Sequence, residues 1–169
     1  MSRTLFLVRH AHATDAELGQ KDHERPLSGK GIRDASVVGK HLFDQYQSPD
    51  YMICSTALRA KDTAQILAEQ LKYDEQKIVL EVEVYEASVR SLLAVVNQIP
   101  ERQQQVLLVA HNPGVTYLSE YLTKENVPNM APGSVMELRF NQLTWAEVSE
   151  GTAILAGYTS PAQLINQQG

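Results

Sequence analysis

Two short runs, apolar but for the first residue of each, constrain this chain most. Residues 4–8 and 105–110 are too short for typical helices and offer no polar face, so each reads as a strand covered on both sides. Helical signals separate them. Ser28 predicts an N-cap for a helix with Ile32, Ala35, Val38 and Leu42 on one face, closed by Ser48-Pro49. Residues 51–54 read as a second strand, and 57–71 as a helix with Ala60, Ala64, Leu67, Ala68 and Leu71 at helical spacing. Residues 78–84 alternate apolar side chains with Glu, predicting a half-exposed strand; 88–99 predict a helix stopped by Pro100. Asn112-Pro113 opens a helix to about Leu122 with Pro113 at its first position, and strands follow near 135–140 and 152–158. This alternation predicts an α/β fold, a three-layer α/β/α sandwich around a mainly parallel sheet. Neither linker nor repeat interrupts residues 1–169, so one domain is expected.

Composition narrows the function classes. With 169 residues, 43% of them apolar, the chain can bury roughly 70% of its unfolded surface without metal or disulfide support. Cys54 is the only cysteine, which excludes an intrachain disulfide and a cysteine zinc cluster. A formal net charge of −5 argues against general affinity for nucleic acid or anionic membrane. The apolar run 5–8 ends in Arg9-His10, too short for a secretory leader, and no stretch is long enough to span a bilayer; a cytoplasmic protein is expected.

In parallel sheets ligands bind beyond the carboxyl ends of the strands. Three predicted strands end there in reactive residues: Arg9-His10, then Ser55 with Arg59 one helical turn on, then His111-Asn112-Pro113-Gly114. Each has an ordinary reading alone, as a surface turn, a solvated helix charge or a loop residue packed under a helix. Two histidines and two arginines at equivalent ends are not what a buried core calls for.

Together with Arg25-Pro26-Leu27-Ser28, Gly31 and Thr63-Ala64, the segments 7–11, 55–60 and 108–114 resemble, in order, the motifs of the histidine phosphatase (phosphoglycerate mutase-like) superfamily. The similarity is greatest to its small SixA-type phosphohistidine phosphatase branch, and it runs from Thr4 to about Leu164. It implies a phosphoglycerate mutase-like fold and a phosphatase needing no metal or other cofactor. By this resemblance His10 is the nucleophile that becomes phosphorylated, while Arg9, Arg59 and His111 hold the transferring phosphoryl group. Arginines present planar donors suited to two phosphate oxygens, and His111, if protonated, adds a third cation. The helix start near Asn112 also favours an anion. Arg25 either contacts phosphate or substrate, or only fastens the loop before Ser28. Glu86 falls where relatives carry a general acid, and reads equally as a rim carboxylate. His12, Asp15, Asp22 and His23 read as solvated loop residues, and Cys54 as a small core residue. Ala11 departs from the Gly that many members carry after the nucleophile.

The implied partner is a phosphorylated protein, above all one bearing phosphohistidine, and the alternative is a small phosphomonoester. Two further readings are a metallohydrolase built on His10, His12, His111 and Asp15, and a phospho-ligand module without turnover. Because the links after Cys54 and Ala110 are short, an open site around His10 is expected, with 11–27 the only long connection on that side.

Overall fold

The computed structural model describes residues 1–168. Its six strands are β1 (Ser2–Arg9), β2 (Tyr51–Ser55), β3 (Val79–Glu81), β4 (Gln105–Ala110), β5 (Val135–Asn141) and β6 (Ile154–Thr159). Five helices accompany them: α1 (Gly29–Tyr46), α2 (Leu58–Leu71), α3 (Val89–Asn97), α4 (Gly114–Thr123) and α5 (Pro161–Gln168). The sheet order is β3-β2-β4-β1-β5-β6. Strands β3, β2, β4 and β1 run parallel, whereas β5 and β6 join antiparallel, giving a mostly parallel sheet between two helical layers.

The alternation of side chains along the strands explains the layering. Leu5 and Leu7 of β1, with Val106 and Leu108 of β4, pack with Leu92 and Val96 of α3 and Val115, Leu118 and Leu122 of α4. Their neighbours Phe6, Val8, Leu107 and Val109 face the opposite way, toward Val38 and Leu42 of α1, Ala64, Leu67 and Leu71 of α2, and Leu164 of α5. Because both faces are covered, the two central strands carry no polar alternation.

Three expectations change. The strand foreseen over 78–84 is only Val79–Glu81, followed by a 3-10 turn at Val82–Val84. Its parallel partner β2 ends at Ser55, opposite Glu81, so further extended backbone would have no ladder to join. Pro113 is the N-cap of α4 rather than its first residue. Helix α5, absent from the expected elements although Ser160-Pro161-Ala162-Gln163 offers a capping box, caps the α1 side through Leu164.

Two glycines bring loops against the reactive end of the sheet. A Cβ on Gly31 would lie 2.1 Å from the His12 carbonyl oxygen, so only glycine lets the segment after His10 cross the start of α1. A Cβ on Gly114 would come within 2.8 Å of the Ala87 carbonyl oxygen, which draws the loop after β3 against the start of α4.

Candidate active site

Strands β2, β4 and β1 are neighbours in the sheet, so their carboxyl ends bring Ser55, His111, Arg9 and His10 to one place. The His10 and His111 ring centroids are 5.1 Å apart. His10 is half-buried, and its Nδ1 lies 2.8 Å from the Ala11 carbonyl oxygen. A carbonyl can only accept, so Nδ1 carries the proton and Nε2 keeps its lone pair. Nε2 accepts a hydrogen bond from Arg59 Nε at 3.3 Å. Burial pushes the His10 pKa down to about 4, helped by the charges of Arg59, Arg9 and Arg25 and opposed by the bond to Ala11. An imidazole that is neutral, pinned at one nitrogen and unprotonated at the other is a nucleophile in waiting.

Ala11 holds this geometry through both its backbone groups. Its N–H donates to Thr63 Oγ1 at 3.0 Å, and Thr63 Oγ1 donates to the Arg59 carbonyl at 2.8 Å. Ala11 is not among the residues at positive φ, so the alanine standing where many members have glycine costs no backbone strain. Gly133, at φ +80°, donates its N–H to the carbonyls of both Arg9 and His10, each at 3.0 Å.

Arg9 sends NH1 to the Met130 carbonyl at 2.8 Å, while its buried Nε has no partner among the described residues. His111 is similar. Its Nε2 lies 2.7 Å from Ser55 Oγ, and its buried Nδ1 is unpartnered among the described residues. Native interiors rarely leave such atoms unsatisfied, and those that do are candidates for ligand contact. Burial, then the electrostatic coupling to the His10 ring and the charge of Arg59, push the His111 pKa down to about 3, so it stands here as a neutral group, not the third cation.

Arg59 is held by a residue that had read as solvated. Its NH1 donates to the Asp22 carbonyl at 2.8 Å and its NH2 to Asp22 Oδ2 at 3.0 Å. The same carboxylate accepts from Tyr85 O–H at 2.6 Å and from Arg25 NH1 at 2.8 Å. Tyr85, then Arg25 and Arg59, hold the Asp22 carboxyl well below the usual carboxylate range. The 3-10 turn Asp22–Glu24 is therefore docked on the start of α2, where His23 Nε2 also meets Thr56 Oγ1 at 2.9 Å. The expectation of an open site changes accordingly: part of the long connection lies over Arg59.

The remaining candidates are placed as follows. Arg25 fastens the loop, its Nε on the Thr14 carbonyl (2.8 Å) and NH1 on Asp22. Asn112 spends its amide on Asn129 Oδ1 (2.8 Å) and accepts from Thr116 Oγ1 (2.6 Å), bracing the segment that supplies the Met130 carbonyl to Arg9. Glu86 is exposed, at φ +53°, with no side-chain hydrogen bond among the described residues. Burial pushes the Cys54 thiol up to about 12, which suits a core residue. The alternative metal set is not assembled. His12 is exposed with Nδ1 on Ser28 Oγ at 2.7 Å, and no group of three His, Cys, Asp or Glu able to hold a metal converges among the described residues. No described helix is long and apolar enough to cross a membrane.

A pH dependence follows. His10 and His111 fall from an ordinary 6.5 to about 4 and about 3, so between these values the unfolded chain binds more protons than the folded one. Stability is then full above about pH 6.5 and is lost as pH falls toward 4. The urea midpoint should drop between pH 7 and pH 5, and imidazole carbon shifts should show both rings neutral at pH 5.5. A ring protonated at pH 5.5 would contradict the site's electrostatics.

Comparison with known proteins bears on the same residues. The family model for the histidine phosphatase superfamily (branch 1) matches residues 5–92, more than half of the chain. A chain from Nakamurella multipartitia assigned to the SixA phosphohistidine phosphatases superposes with a TM-score of 0.82 at 27% identity, covering 95% of this chain and 97% of that one. The protein histidine phosphatase SixA complexed with tungstate has the same fold, with a TM-score of 0.81 at 23% identity and coverage of 95% and 99%. An uncharacterised protein of Mycobacterium tuberculosis is 27% identical over 165 residues, covering 91% of this chain and 99% of that protein. The matched segment contains Arg9, His10 and Arg59, and the remainder of the phosphoglycerate mutase-like fold supplies His111. Fold, family model and strand-end residues thus agree that this chain belongs to the histidine phosphatase superfamily, in its SixA-type branch.

Proposed function

We propose that this phosphatase removes phosphoryl groups from phosphohistidine in proteins through a covalent intermediate on His10 Nε2. The observation that carries the reading is the unprotonated Nε2, fixed through the Ala11 carbonyl and beside the Arg59 Nε donor, on a ring 5.1 Å from that of His111, with Arg9 Nε and His111 Nδ1 unpartnered among the described residues. In the first step the Nε2 lone pair forms a bond to phosphorus while the bond from phosphorus to the substrate's ring nitrogen breaks. That ring leaves as neutral imidazole when its other nitrogen holds a proton. In the second step a water oxygen bonds to phosphorus, the Nε2–P bond breaks, Nε2 regains its lone pair, and the water's proton passes to phosphate or solvent. Negative charge on the equatorial oxygens is met by the guanidinium groups of Arg9 and Arg59 and by His111, so positioning and charge stabilisation dominate.

The sequence of loops favours a protein-borne substrate. Only two residues separate β2 from α2, and three separate β4 from α4. The long connection from β1 to α1 spends its Asp22–Glu24 turn on Arg59 and Tyr85, and the segment 124–134 spends Met130 and Gly133 on Arg9 and His10, so both longer loops brace the site's own residues. Imidazole also needs less acid assistance than an alkoxide, which accords with an exposed Glu86. The resemblance to SixA proteins supports the same choice. A side-by-side assay of a histidine-phosphorylated protein, phosphoserine peptides and sugar phosphates should give the first the highest kcat/KM. A sugar phosphate or phosphoserine peptide preferred over the phosphohistidine protein would overturn the substrate assignment.

A further inference from the structure

His111 has two ring nitrogens, and which of them carries the proton decides whether it can donate to a phosphoryl oxygen. Its partner Ser55 settles the matter by hydrogen-bond accounting. Ser55 is fully buried, and its Oγ has two neighbours: it accepts the Ala57 N–H at 3.2 Å and lies 2.7 Å from His111 Nε2. A serine hydroxyl has one proton to give. If that proton goes to Nε2, every Ser55 group is satisfied and His111 Nδ1 carries the ring's hydrogen. If Nε2–H instead donated to Oγ, the Ser55 hydroxyl proton would have no acceptor among the described residues, and Nδ1 would present a buried lone pair. The second arrangement leaves two unsatisfied groups against one, and an extra buried group without a partner is unfavourable.

We propose that Ser55 is a positioning residue: it donates to His111 Nε2 and so holds the ring as the Nδ1–H tautomer. The Nδ1–H is then an unspent donor on a ring whose centroid lies 5.1 Å from that of His10, available to a phosphoryl oxygen, whereas the opposite tautomer would present a lone pair instead. The catalytic part of this proposal rests on the reading of His111 as a phosphoryl ligand; the tautomer does not. The N-terminus of α2 contributes as well, because the Ala57 N–H at its N-cap occupies Ser55 Oγ as acceptor and fixes the hydroxyl's direction.

Long-range proton–nitrogen correlation of nitrogen-15-labelled protein at pH 7 reads the tautomer directly. Wild type should show a protonated Nδ1 and an unprotonated Nε2 at His111; an Nε2–H tautomer would overturn the role given to Ser55. Ser55→Ala should erode the Nδ1–H preference, weaken inhibition by inorganic phosphate and lower kcat/KM about tenfold, while Ser55→Thr should restore the wild-type nitrogen shifts. An Ala variant with an undisturbed Nδ1–H tautomer would also overturn it. The wild-type spectrum stands even if a variant does not fold. Unchanged phosphate inhibition in His111→Ala would overturn the ligand role of His111 instead, and that result is distinguishable because it leaves the wild-type tautomer untouched.

Discussion

His10→Ala should fold normally and lose turnover by roughly 10⁴-fold or more, the scale on which removal of a covalent nucleophile is felt. The side chain is half-buried at the end of β1, and its only carbonyl partner among the described residues is its own neighbour Ala11, so the sheet does not depend on it. The nearby thiol and hydroxyl cannot take over. The Cys54 thiol lies buried with its pKa pushed up to about 12, and the Ser55 hydroxyl is committed between Ala57 and His111. Circular dichroism and the urea midpoint should match wild type near pH 7, while hydrolysis of an aryl phosphate or a phosphohistidine protein should be lost. Retained turnover would remove His10 from the chemistry.

Arg59→Ala should cost roughly 10²- to 10³-fold in kcat, the range for losing a preorganised donor to developing charge. Its effect extends past the phosphoryl group, because Arg59 is also the anchor for the Asp22 turn. Without it the Asp22 carboxylate keeps Tyr85 and Arg25 but loses its one guanidinium bond from Arg59, and the Asp22 carbonyl loses another, so the carboxyl pKa should rise toward the ordinary range. Arg59→Lys should recover only part of the rate, since an ammonium cannot serve His10 Nε2 and Asp22 in one planar fork. Residues sharing one network do not act additively. Asp22→Ala should therefore slow the wild-type enzyme clearly and the Arg59→Ala enzyme hardly at all. Equal fractional losses in both backgrounds would mean that Asp22 acts independently of Arg59.

The convergence of Arg9, His10, Arg59 and His111 was legible in the sequence for a topological reason. Apolar runs buried on both faces mean parallel strands, and the carboxyl ends of neighbouring parallel strands lie together. The α2 helix needed only its spacing to place Arg59 one turn beyond Ser55. Asp22 was not legible. Its partners Arg59 and Tyr85 are 37 and 63 positions away, and nothing local distinguishes it from Asp15, which is exposed. The neutrality of His111 was also hidden, because burial is a property of packing; so was the end of β3, which depends on where β2 stops offering backbone partners. Ser55 appeared in the motif, but its use emerges only when the donors and acceptors around a buried hydroxyl are counted.

In the proposed mechanism the phosphoryl group passes through His10. Rapid quench of the enzyme with a phosphorus-32-labelled phosphohistidine protein, under alkaline conditions that preserve phosphoramidate bonds, followed by peptide mapping, tests it directly. Transient label is expected on the peptide containing His10, acid-labile and attached at Nε2, absent in His10→Ala and formed and lost at rates compatible with turnover. Label on Ser55, Cys54 or any other residue, or full turnover with no labelled intermediate at all, would contradict it.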